Sequence, residues 1–337
     1  MRPLVLEWVS NVVLRTLGRS GAVLCYHSVT TGAYPAASAV HVARDDLLAT
    51  LDTLRDTCRI IPLIELLRRQ QRGQSTKGLI AISFDDAYAA VLSVGEFLGT
   101  RGVPVTIFPV GDATVNGSTF WWDRVDDVFP NVPPARWRQF EEVCGVPEEY
   151  RRGQPESFGP LRPFRQWMLA HYHGRWPERL TPDLTALEQE TRHATVQRSM
   201  TWAEIEQLAR QTEVHVGVHT LSHPALPFLP DAEVRREIAG CFAMISERST
   251  TPVPILAAPY GLADARVVRL AQATGMHATL SLSGTALGDR AGSLQWVPRI
   301  CMSARAPAWR LKLRLAGLGD RPWQRAGAFP VLPSAST

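Results

Sequence analysis

No stretch of this 337-residue chain is apolar for long enough to span a bilayer, and no segment gathers lysine and arginine into a basic run. The first absence excludes a helical membrane-spanning protein. The second leaves no case for a nucleic-acid partner, although the net charge is +4. Cysteine is sparse: Cys25, Cys58, Cys144, Cys241 and Cys301 are odd in number, far apart and without a Cys-x-x-Cys pair. They read as reduced, buried thiols rather than a disulfide framework. Internal repeats and low-complexity tracts are also missing, which excludes solenoids. What remains, 45% hydrophobic and 20% charged, is the composition of a soluble folded protein of one large or two ordinary domains.

At the N-terminus, Glu7, Ser10, Asn11 and Arg15 interrupt what would have to be the unbroken apolar core of an export signal. Val5, Val9, Val12 and Val13 recur at helical spacing, so residues 1–20 are expected as an amphipathic helix packed on the domain. Peripheral contact with a membrane surface is the alternative. With no export signal legible, the expected location is the cytoplasm, at the inner membrane face if that helix touches lipid. Residues 319–337, rich in Pro, Gly, Ser and Ala, read as a loosely ordered tail.

Between these ends, short β-branched or apolar runs alternate with helical patterns, the signature of a mostly parallel sheet. Seven strands are predicted, at 21–26, 79–84, 103–109, 213–219, 254–258, 277–282 and 295–300, with helices at 45–56, 61–70, 89–101, 201–212, 231–249 and 263–274. The fold class expected for residues 21–318 is therefore α/β, a distorted (β/α)7-type barrel. Thr201 followed by Glu204 predicts a capping box, and Asp231 is expected to begin another helix. Residues 112–200 break the alternation and carry helical patterns near 134–145, 160–172 and 183–197. They read as a helical insertion, since a structureless loop of that length is uncommon in a compact domain.

Two motifs can carry chemistry. Asp85 and Asp86 end the apolar run IAISF, and adjacent carboxylates there repel each other unless a cation faces them. Their structural alternative is a helix cap and a solvated turn residue. His219 and His223 follow VHVGV; two imidazoles four residues apart on one helical turn share a face and can reach one ion. Two histidines and a carboxylate form a three-ligand set with an open position, and the second aspartate can serve as a base beside it.

The ordered segments CYHSV, SFDDAY, VTIFPVGD, GVHTLSHP and LAAPYG resemble the polysaccharide deacetylase family, carbohydrate esterase family 4, which shares the NodB homology domain. The resemblance implies a NodB-like barrel and a metal-dependent hydrolase that removes N-acetyl groups from an amino sugar in a polysaccharide, oligosaccharide or glycoconjugate. It makes Asp85 the base and Asp86, His219 and His223 the ligands of a divalent metal, zinc being the first expectation. The backbone N–H of Tyr260, after Pro259, would meet the oxyanion.

Three features depart from the family pattern. Ala87 stands where a glycine is usual, and is strained if its φ is positive. Ala257 and Ala258 occupy the place of an arginine that orients the base, with Arg299 as a candidate to replace it in space. No late Leu-x-His follows, because His277 is the last histidine. His215 and His277 read as structural, while His27 is a candidate pocket residue. Trp121 and Trp122, with Asp123, read either as a sugar-stacking platform or as anchors of the insertion, and Trp296 as core or pocket floor. The missing acid keeps a second class open, a carbohydrate-binding relative that retains the metal site without efficient turnover.

Overall fold

The computed structural model describes residue 14 and residues 20–30, 41–151, 161–192, 197–282, 287, 296–302 and 308–316. The expected N-terminal helix, except Leu14 and Ser20, and the tail lie outside the described residues. Strands β1 (Ala22–Tyr26), β2 (Ser28–Thr30), β3 (His41–Ala43), β4 (Arg59–Ile60), β5 (Leu79–Asp85), β6 (Val105–Phe108), β7 (Val214–Val218), β8 (Pro252–Ala257), β9 (Ala278–Ser281), β10 (Val297–Pro298) and β11 (Ile300–Cys301) form a main sheet and a β2–β3 pair. The main sheet runs β10-β9-β8-β7-β6-β5-β1-β11, with β4 pairing β5 off this path. Its pairings are all parallel.

The segment 295–300, expected as one strand, is two. β10 pairs with β9 at one edge of the sheet and β11 with β1 at the other, and only Arg299 separates them. That single residue brings the two edges together and leaves the eight-strand path of the sheet nearly closed into a barrel, the expected fold class. Side chains alternate across each strand. Val23, Ala81, Phe108, Ile255, Ala257, Ala278, Leu280 and Val297 form an interior cluster with Leu63, Leu66 and Leu67 of the helix Leu63–Gln71. Leu24, Ile82, Val216 and Leu256 instead pack outward, against helices such as Trp202–Gln211 and Asp231–Arg248.

Between β6 and β7 the regular secondary structure of the described residues is helical, apart from an isolated bridge at Ser199. The helices Trp121–Val128, Pro134–Cys144, Arg162–Tyr172 and Thr181–Thr191 bury their own cluster, including Val125, Trp137, Phe140, Phe164, Trp167 and Leu184. The capping box stands: the Thr201 hydroxyl accepts from the Glu204 N–H at 3.4 Å, and Glu204 Oε2 accepts from the Thr201 N–H at 2.8 Å. Asp231 is the first residue of its helix but caps nothing; Pro230 takes the cap position and Asp231 pairs with Arg266 at 2.7 Å. Trp296 is 44% exposed, a correction to its expected core position. Cys58 and Cys301 are only half-buried, unlike Cys25, Cys144 and Cys241, and all five are free thiols. Among the described residues no helix is long and apolar enough to cross a membrane.

The β7–β8 register shifts between Val216 and Val218, and Gly217 sits in that irregularity. A Cβ there would lie 2.8 Å from Phe108 Cδ1 and 3.1 Å from the Ile255 carbonyl oxygen. Gly217→Ala is therefore expected to destabilise the protein by about 1–3 kcal/mol through overpacking. An unchanged urea midpoint would contradict this packing.

Candidate active site

The chemistry-bearing residues gather at the carboxyl ends of parallel strands, where such barrels place their sites. His27 follows β1, Asp85 ends β5, His219 follows β7, and Pro259 and Tyr260 follow β8. Immediately after β5 the backbone turns into the left-handed region, at Asp86 (φ 62°) and Ala87 (φ 50°). Ala87 is therefore on the strained side of the departure read in the sequence. The following segment straps this turn: the Met200 N–H donates to the Ala87 carbonyl at 2.6 Å, Ser199 Oγ donates to the Asp86 carbonyl at 3.3 Å, and the Ala89 N–H donates to the Arg198 carbonyl at 2.9 Å.

Asp86 Oδ1 faces His219 Nε2 at 3.3 Å and His223 Nε2 at 3.4 Å, and all three side chains are buried. The histidines do not share a helical turn, which corrects the rationale for their spacing. They sit in a loop in which Thr220 (φ 67°) and His223 (φ 59°) are left-handed, and Thr220 Oγ1 accepts from the His223 N–H at 3.0 Å. His219 Nδ1 donates to the Ala257 carbonyl at 2.8 Å, which turns Nε2 toward Asp86. Asp86 Oδ1 has no hydrogen-bond partner, and the three potential ligand atoms lie within 4.8 Å of one another. This convergence of one carboxylate and two imidazoles, with an orphaned buried oxygen at its centre, fits a small divalent cation. Burial pushes His223 down to about 3, leaving it neutral and able to ligate at pH 7. Burial also disfavours charge on His219, but Asp85 and Asp86 outweigh it and raise its pKa.

A second group within that distance, Cys25, His27 and Asp85, is differently disposed. Arg299, fully buried, donates from both terminal nitrogens to the two Asp85 oxygens, each at 2.7 Å. The Cys25 thiol donates to Asp85 Oδ2 at 3.4 Å, and His27 Nε2 lies 4.0 Å from the same oxygen. Arg299 thus occupies the place of the cation, and burial holds the Cys25 thiol protonated by raising its pKa. Burial works to raise the Asp85 pKa, yet the guanidinium, helped by His219, holds it well below the usual carboxylate range. His27 is driven toward its neutral form by burial. Arg299 is thus the residue that pairs with and orients Asp85 in this structure.

Aromatic rings wall the cluster. Trp122 lies 4.7 Å from the His223 ring and stacks on Phe120, and Tyr260 is 4.7 Å from His223 on another side. Trp121 instead anchors the insertion, stacking on Trp176 and donating from Nε1 to the Gly174 carbonyl at 2.8 Å. His215 and His277 take no part in this cluster. Several partners went unrecognised in the sequence. Tyr88 donates to Asp123 Oδ2 at 2.6 Å and accepts from Trp122 Nε1 at 2.8 Å, while His41 Nε2 meets Asp123 Oδ1 at 3.0 Å. Glu237 was also missed, although a carboxylate on the buried Val234, Ile238, Cys241 and Ile245 stripe was a visible signal.

A parallel α/β barrel with an Asp-His-His cluster and an arginine-paired aspartate at its strand ends defines the class. A family model described as polysaccharide deacetylase matches residues 171–279, which include both histidines, Pro259 and Tyr260. That match spans about a third of the chain and is a similarity to the family; Asp85 and Asp86 lie outside the matched segment. No match was found among curated protein sequences. Among solved structures, the chain is similar to IcaB from Ammonifex degensii, at 17% identity and TM-score 0.56, over 89% of this chain and 98% of that one. It is also similar to the Streptococcus pyogenes deacetylase PplD in complex with acetate, at 12% and 0.57, over 89% and 99%. A third, BC0361, a polysaccharide deacetylase from Bacillus cereus, matches at 12% and 0.57, over 88% and 69%. At these identities the likeness concerns the fold.

Arg299→Met removes the counter-charge but leaves Asp85 buried. The protein is expected to lose about 3–5 kcal/mol at pH 7, because an unpaired buried carboxylate remains. In the native protein the depressed Asp85 pKa contributes stability above the unfolded value, lost as pH falls through the folded one. In the variant burial dominates, the folded pKa rises above the unfolded value, and the penalty shrinks as pH falls toward it. Denaturant titrations at pH 7 and 5 showing no difference from the native protein at either pH would contradict this pairing.

Proposed function

We propose that this protein is a metal-dependent hydrolase that removes the N-acetyl group from an amino sugar carried in a polysaccharide, oligosaccharide or glycoconjugate. The observation that carries the reading is the buried Asp86–His219–His223 cluster beside an Asp85 held ionised by Arg299. Asp86, His219 and His223 would hold the cation, with zinc the first choice for this donor set. When bound, such an ion supplies Lewis-acid polarisation of a carbonyl and acidification of a water.

The residues of the chain do the rest. Asp85 accepts the proton of the attacking water; its depressed pKa keeps it ionised at neutral pH but makes it a weak base, so the water must already be acidified. The same low pKa makes protonated Asp85 a strong acid, able to return the proton to the leaving nitrogen without the family's absent histidine. The Tyr260 backbone N–H is assigned to the oxyanion. Trp122, Tyr260, His27 and Pro259 are assigned to the sugar subsite, where aromatic surface suits a sugar ring. A cytoplasmic setting is part of this proposal.

Protein loaded with zinc or cobalt is expected to release acetate from an N-acetylglucosamine oligosaccharide. Asp85→Asn should lower kcat by about 10²–10⁴-fold, and His219→Ala should abolish stoichiometric metal binding. No acetate from any N-acetylglucosamine-bearing substrate, with Asp85→Asn changing nothing, would overturn the reading. Metal and sugar binding without acetate would point instead to a binding protein on the same barrel.

A further inference from the structure

The loop carrying the two histidines is braced from outside by groups that none of the family's motifs contain. Glu237, buried in the helix Asp231–Arg248, directs its hydrogen bonds to that loop and to Arg175. Its Oε2 accepts from the N–H groups of Leu221 and Ser222, each at 2.9 Å, and its Oε1 accepts from Ser222 Oγ and from an Arg175 terminal nitrogen, each at 2.8 Å. Arg175 also donates to Glu233 at 2.6 Å and to Ser222 Oγ at 3.3 Å. It belongs to the insertion, just past the helix Arg162–Tyr172.

The neighbouring residues bind the same surroundings. The His173 carbonyl accepts from the Ala225 N–H at 2.7 Å, and the Gly174 carbonyl accepts from the Tyr260 hydroxyl at 2.8 Å. Gly174 has φ 80°, and a Cβ on it would lie 2.6 Å from Tyr260 Cζ, so only glycine lets the turn come this close. One short turn, His173 to Arg175, therefore touches both loops of the candidate site. The loops need such support: Thr220, His223 and Tyr260 are all left-handed, a conformation that persists only where its surroundings over-determine it.

We propose that Arg175 and Glu237 are positioning residues, and that the insertion fixes the metal-binding geometry by clamping the His219–His223 loop through them. This rests on the reading of Asp86, His219 and His223 as ligands. Outer partners of ligating residues commonly set metal affinity by one to two orders of magnitude.

The test is cobalt(II) binding to the full-length protein, followed by the visible absorption bands of the bound ion and by calorimetry. Arg175→Ala and Glu237→Gln are expected to weaken binding about tenfold or more and to alter the band intensities, and Arg175→Lys to restore part of the affinity. Thermal unfolding of each apoprotein separates this from loss of fold, and Gly174→Ala approaches the same turn without removing a charge. Folded Arg175→Ala and Glu237→Gln proteins with native cobalt affinity and spectrum would overturn the clamp. If neither variant folds, Gly174→Ala with native affinity and spectrum would overturn it, and a weakened site would support it. A native protein that binds no cobalt would instead remove the ligand reading beneath it.

Discussion

Arg299 joins the architecture to the chemistry. Its backbone lies between β10 and β11, the two edges of the sheet, and its guanidinium crosses the barrel interior to pair with both oxygens of Asp85. A carboxylate at that depth is costly without a counter-charge, and a guanidinium at that depth is costly without a carboxylate. Each makes the other tenable, and together they set the closure of the barrel and the ionised state of the candidate base. Ser83, Cys25 and His27 then arrange themselves around a charge pair that is already neutral overall.

Asp86 is left as the carboxylate without a cation. The contrast between adjacent aspartates arises from backbone direction: Asp85 still obeys the strand alternation and points into the barrel, whereas Asp86 lies in the left-handed turn and meets His219 and His223. Two neighbouring carboxylates thereby face different partners: the built-in guanidinium of Arg299 for Asp85 and, under the proposed function, a bound cation for Asp86. The strain of that turn is held by Arg198, Ser199 and Met200, and the strain of the histidine loop by Glu237.

Much of this was legible in the sequence where burial writes itself locally. Doubly buried parallel strands are near-continuous apolar runs, so β1, β5, β6, β7, β8 and β9 were found, and the Thr201 and Glu204 pair announced its capping box. Local pattern failed where the answer lay in the partner strand: nothing in QWVPRI shows that its halves pair at opposite edges. It failed again at His219 and His223, where spacing suggested a helix but the backbone is a loop set by contacts with Glu237 and Thr220. The role of Arg175 was invisible because its partners lie 47 to 62 residues away in sequence. Ala87 shows the reverse, since the sequence posed the question of its φ and only the structure answered it.

The central claim is that the cation site is Asp86, His219 and His223 rather than the thiol-containing group beside Arg299. X-ray absorption of the zinc-loaded protein tests this most directly. The account predicts one zinc per chain with a shell of nitrogen and oxygen at about 2.0–2.2 Å and the outer-shell signature of two imidazoles. A sulfur ligand at about 2.3 Å, or a shell without histidine, would contradict it.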